Sequence, residues 1–139
     1  MKKKEIKVKN FKSTEKAIII SADKFEITVQ LNETETAKKL IEILPLSSSV
    51  SRWGDEIYFS IPMQSEIENG VEEVEVGTVA FWPPGSALCI FFGPTPASQG
   101  KKPRAASPVT VVGSFTTEGV IEKLRAAGSG EKISVQAGA

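Results

Sequence analysis

The sequence contains no histidine. That removes Ser-His-Asp and Cys-His nucleophile pairs, imidazole metal ligands and the commonest general base. It contains one cysteine, Cys89, which has no partner for a disulfide, and zinc sites built on thiolates are excluded with it. Charge of one sign is also lacking. Seventeen basic and seventeen acidic residues cancel, so no overall field draws the chain to nucleic acid or to an anionic membrane. No apolar run approaches the roughly 20 residues of a membrane span. The start, MKKKEIKVKN, has the positive charge of a signal peptide without the apolar stretch that must come after it. These absences imply no cofactor, no metal, no nucleic acid and no membrane partner, and make a cytoplasmic protein the expectation.

What is present suits one domain. The 139 residues are 40% hydrophobic and 24% charged, enough to bury a single core. Residues 1–15 form a lysine-rich extension, read as a solvated tail or a weak edge strand, and no aromatic is interleaved there as a nucleic-acid arm would need. Residues 16–139 are then the folded domain. Ala17 to Ile20 is an apolar, β-branched run, and Lys24 to Leu31 alternates with Phe25, Ile27, Val29 and Leu31 on one face, so the two read as a hairpin. Asn32 is placed to cap a helix, with Glu35 closing a capping box and Ala37, Leu40, Ile41 and Leu44 on one face. Leu46 to Trp53 reads as a loop leading into a short strand. Glu56 to Ile61 alternates again, with Ile57, Phe59 and Ile61 inward against Glu56, Tyr58 and Ser60.

The acidic stretch SEIENGVEEVEV reads as a solvated hairpin around Asn69-Gly70, since its spacing fits no calcium loop. The segment GTVAFWPPGSALCIFFGPTP organises the rest. Thr78 to Trp82 is a strand, Pro83-Pro84-Gly85 a turn in which the glycine supplies the positive φ, and Ser86 to Phe92 a strand covered on both faces. Gly93 to Pro108 reads as a long exposed loop. Val109 to Phe115 is a strand, and a helix starting at Thr116 or Thr117 buries Val120, Ile121, Leu124 and Ala127. Glu131 to Gln136 is the last strand. Strands that succeed one another through short turns predict a closed or nearly closed antiparallel barrel, of about eight strands, with two helices over its ends.

GSALCIFF, and VTVVGSF with EGVIEKLRAAGSGEKISVQAG after it, resemble the apolar strand and the closing strand, helix and strand of cyclophilins. The blocks WGDEIYFSIP, GTVAFWPPGSALCIFFGPTP and ASPVTVVGSF resemble a small prokaryotic branch of cyclophilin-like proteins, over residues 16–137. The resemblance implies a mainly β fold, a closed eight-stranded antiparallel barrel with two helices. Cyclophilins of the isomerase type carry an arginine before a Pro-Gly-Phe turn and a glutamine after it. Here Trp53-Gly54-Asp55 stands at the turn, Val50 at the arginine's place and Tyr58 at the glutamine's. The phenylalanine of the family's proline pocket matches Cys89, and Phe91 shares its face. The loop from Gly93 to Pro108 lacks the family's tryptophan and histidine.

Prolyl isomerisation needs neither a proton shuttle nor a metal. Its barrier of about 18–20 kcal/mol comes from amide resonance, and it falls when a site desolvates the amide or donates a hydrogen bond to the proline nitrogen. Arg52, two positions beyond Val50, is the catalytic candidate, against the alternative of a strand residue paired with Asp55 or Glu56. Glu56, Tyr58, Trp82, Cys89 and Phe91 are the ligand-binding candidates, in a groove running near Arg52 and Trp82. The sequence thus leaves open a module binding an extended or proline-containing peptide with weak or no turnover, an active divergent isomerase, and a small-molecule-binding barrel. Exposure of Trp82 and the Pro-rich loop also leaves room for a homodimer.

Overall fold

A computed structural model describes residues 16–116 and 119–138, so the lysine-rich extension at 1–15 and a helix start at Thr117 lie outside the described residues. Period-two alternation builds most of the sheet. The first hairpin joins β1 (Lys16–Ala22) to β2 (Glu26–Leu31), with Ile18, Ile20, Ile27 and Val29 buried on one side. After α1 (Glu35–Glu42) come β3 (Leu46–Ser49), β4 (Ser51–Arg52), β5 (Glu56–Ser60) and β6 (Val71–Glu73). Strands β7 (Thr78–Trp82), β8 (Ala87–Phe91) and β9 (Arg104–Phe115), helix α2 (Ile121–Ala126) and β10 (Lys132–Ala137) complete the order.

Every ladder is antiparallel, but the expected closed eight-stranded barrel does not form. Among the described residues the sheet has ten strands in the order β3-β10-β1-β2-β9-β7-β8-β5-β4, with β6 added on β9, and no ladder joins its two ends. The reason lies in the chain itself. The end strands β3 and β4 are consecutive and separated only by Val50, whose N–H donates to Glu131 O and whose carbonyl accepts from Gly130, both at 2.8 Å. One segment therefore pairs with β10 and then with β5, and it cannot also pair with itself. The curled sheet still wraps one core, in which Ile57, Phe59, Val79, Phe81, Leu88 and Ile90 meet Ile18, Ile27, Val112, Ile133 and Val135.

Other local expectations shift for equally physical reasons. Thr34, not Asn32, is the N-cap of α1, and its side chain accepts from Ala37 N at 3.0 Å. Asn32 is held by the sheet instead, its N–H donating to Val112 O and its side-chain amide to Val111 O. The first-turn N–H groups of Glu35 and Thr36 donate to the Glu68 carboxylate, so that distant residue does what a capping box would do locally. The acidic segment is consequently no hairpin. Its first half folds against α1, and β6 pairs with β9 rather than with its own neighbour.

Strand β9 starts at Arg104, inside the stretch read as loop, which shortens the true loop to residues 93–103. At the β7–β8 turn the positive φ belongs to Ser86 (45°), not to Gly85. Gly85 is needed for space, because a Cβ there would stand 2.8 Å from the Trp82 ring. Among the described residues, no helix is long and apolar enough to cross a membrane.

Candidate functional site

Strand β8 is buried at every position, so its outward residues must be covered by something other than the core. Strand register sets three outward rows across β5, β8 and β7: Glu56–Phe91–Thr78, Tyr58–Cys89–Ala80 and Ser60–Ala87–Trp82. Over them lies the first half of β9, where Ala105 and Val109 join Val74, Ala80, Cys89 and Phe91 in a second apolar cluster. Arg104 fastens this arm to β6 through Glu72 at 2.6 Å and Glu73 at 3.9 Å. The indole N–H of Trp82 donates to Ser107 Oγ at 2.7 Å, tying the end of β7 to the same arm.

The covering is incomplete. A cavity of about 220 Å³ remains, lined by Trp53, Tyr58 and Trp82, by Glu56 and Cys89, and by Ala105, Ala106 and Val109 from the arm. The small alanines leave the space that larger side chains would fill. Four of the expected binding residues, Glu56, Tyr58, Trp82 and Cys89, are thus brought together. Phe91 lies on the same face but is fully buried in the second cluster, beneath rather than on the cavity surface.

Glu56 dominates the electrostatics. It is only 6% exposed, and its Oε1 is buried without a hydrogen-bond partner. Burial pushes its carboxyl up to about 7, while a hydrogen bond with the Cys89 thiol pulls in the opposite direction. Burial, and then the neighbouring Glu56 charge, raise the Cys89 thiol well above its ordinary value. Cys89 therefore stays a thiol and lacks the thiolate that a nucleophile needs. Among the described residues, no cluster of three or more acidic or thiol side chains is placed to hold a metal ion.

Arg52 is not brought to this cavity. Its cross-strand partner is Ile57, in the inward row with Ile90 and Val79. Its guanidinium sits over the Phe92 ring, 5.3 Å from the centroid. Nη1 donates to the carbonyls of Arg125 (2.9 Å) and Ala127 (2.8 Å), and Nη2 to that of Gly54 (2.9 Å). These are the orphan carbonyls at the C-terminus of α2 and the turn before β5, so the arginine joins helix to sheet. Asp55 lies 3.8 Å from Arg52 and 3.3 Å from Arg125, completing the junction.

Trp53, at the turn before β5, and Ala105 and Ala106, in the stretch read as loop, are not among the candidates from sequence, yet all three line the cavity. No local signal marks the alanines, since only pairing with β6 makes that stretch a strand.

The chain matches the family described as Cyclophilin-like over residues 16–136. It belongs to the cyclophilin-like family. Among solved structures, a hypothetical protein from Archaeoglobus fulgidus, determined in solution, is similar at 37% identity, covering 90% of this chain and 96% of that one with a TM-score of 0.74. Among curated proteins, no match to the chain is found. Tyr58 and Cys89, which the sequence resemblance sets against the isomerases' glutamine and pocket phenylalanine, both line the cavity. Val50, set by the same resemblance against the arginine, is buried in the inner core.

Proposed function

We propose that this cyclophilin-like chain is a binding module that seats one compact group of an extended or proline-containing peptide, with weak or no peptidyl-prolyl isomerase turnover. One observation carries this reading: the cavity has aromatic sides and a buried carboxyl, but no arginine or lysine among its lining residues. Isomerisation gains rate when a donor reaches the proline nitrogen as amide resonance is lost. The guanidinium nearest in sequence is committed to the α2 carbonyls on the inward side of the sheet. An apolar slot without that donor binds a ring and leaves its amide barrier nearly intact.

A small-molecule ligand is the second reading, favoured by size. Cavities of about 150 Å³ hold a benzene ring, so about 220 Å³ accepts one ring-sized group and not an extended strand. An NMR exchange measurement on an X-Pro peptide tests turnover, and the Tyr58 and Trp82 resonances of the same sample test binding. Perturbed resonances without exchange above background are expected. Exchange above background that Arg52→Ala abolishes would replace the binding module with an isomerase.

A further inference from the structure

Resting on the binding-module reading of the Glu56 cavity, we propose that the group it takes is a cation, an alkylated ammonium carried by a small molecule or a side chain. Three independent features of the cavity converge on that chemistry. Its half-buried sides come from Trp53, Tyr58 and Trp82, the only tryptophans and the only tyrosine of the chain. Ring faces carry the negative side of the aromatic quadrupole and attract an ammonium, most strongly when it is desolvated. The remaining lining residues are alanines, a valine and a thiol, which supply shape for methyl or methylene groups but no competing charge.

The third feature is Glu56. A carboxyl that is 6% exposed with an orphan oxygen is costly in an isolated fold, because a buried charge needs a partner. Nothing on the surrounding described elements supplies one. Their charged groups are engaged elsewhere: Arg104 with Glu72 and Glu73, and Asp55 with Arg125 and Arg52. Tyr58 on its own strand and Cys89 on β8 are the other titratable groups lining the cavity, and the thiol is held protonated. A bound cation completes the set. It turns the carboxyl from a partly protonated group into the anion of an ion pair, so binding releases a proton in the range just below about pH 7.

The test compares choline with 3,3-dimethylbutan-1-ol, which has the same shape without the charge. Both tryptophans line the cavity, so intrinsic fluorescence and the indole N–H resonances report occupancy directly. Choline is expected to bind at least about tenfold more tightly than the alcohol at about pH 8. On the native chain this advantage shrinks as the pH falls through about 7. In Glu56→Gln, with folding checked by circular dichroism, the advantage falls to what the ring faces alone supply and no longer changes with pH. Equal binding of the two probes at the cavity overturns the cation and leaves the binding module standing, and an advantage untouched by both Glu56→Gln and low pH overturns the ion pair with Glu56 on which the proposal rests. Cavity resonances that respond to neither probe nor to any X-Pro peptide overturn both.

Discussion

The two faces of the β5–β8–β7 ribbon come from alternate residues of the same strands, yet they behave as different materials. Inward, Ile57, Phe59, Leu88, Ile90, Val79 and Phe81 interdigitate within one apolar cluster. Outward, Glu56, Tyr58, Cys89 and Ala80 are covered only by a strand arm that stops short and leaves about 220 Å³. The inner face determines whether the chain folds. The outer face is where a polar group can be buried at a cost that the fold tolerates and a ligand can recover. A single period-two pattern therefore carries a core on one parity and a candidate site on the other.

The largest expected effect breaks the inner side of this contrast. Phe81→Ala should cost about 4 kcal/mol in denaturant unfolding, because the ring is fully buried in the inner core and its removal leaves a cavity there. Should it cost no more than Tyr58→Ala, the two faces would not differ as described.

Glu56→Gln tests the outer side with the opposite sign. A carboxyl raised from 4.5 to about 7 favours the native state fully below about 4.5, and this contribution is lost as the pH rises through about 7. The loss amounts to about 3 kcal/mol. The amide variant escapes it, so it should be more stable than the native chain by about 3 kcal/mol at about pH 8 and equal to it below about pH 4.5. Melting temperatures across that range decide the matter, and a destabilised variant at high pH would mean that a cationic side chain of the protein pairs with Glu56.

Arg52→Ala sharpens the comparison by separating the arginine from the cavity. Losing charge-assisted bonds to the carbonyls of Arg125, Ala127 and Gly54 should cost about 2 kcal/mol of stability, while ligand-induced changes at Trp82 persist. The smallest effect is expected for Ser107→Ala. It removes the acceptor of the Trp82 indole, costs about 1 kcal/mol, and shifts the Trp82 indole resonance without moving that of Trp53.

Legibility tracked contact range. Helix α1, the first hairpin and the β7–β8 hairpin were readable because period and turn chemistry are local. The capping of α1 by Thr34 with Glu68 was not, since the acidic partner arrives from 32 residues away and local spacing favoured Asn32 with Glu35. Strand β9 looked like loop through Pro108 because its first half owes its regularity to β6. For the site, the outward parity of Glu56 and Tyr58 was readable and Cys89 entered through the family resemblance, whereas the burial of Glu56 was not readable. An alternating strand assigns a face, and only the element laid over that face decides whether a carboxylate meets water.

By itself the sequence determined most of the strands, their inward residues, the family resemblance and the exclusion of histidine-based chemistry and thiolate zinc sites, all of which depend on residue type and spacing. Tertiary structure alone decided that the sheet ends at β3 and β4 without closing, that Arg52 serves α2, and that Trp53, Tyr58 and Trp82 gather around Glu56. Those outcomes depend on which distant segments come to lie against one another, and a one-dimensional pattern carries no term for that.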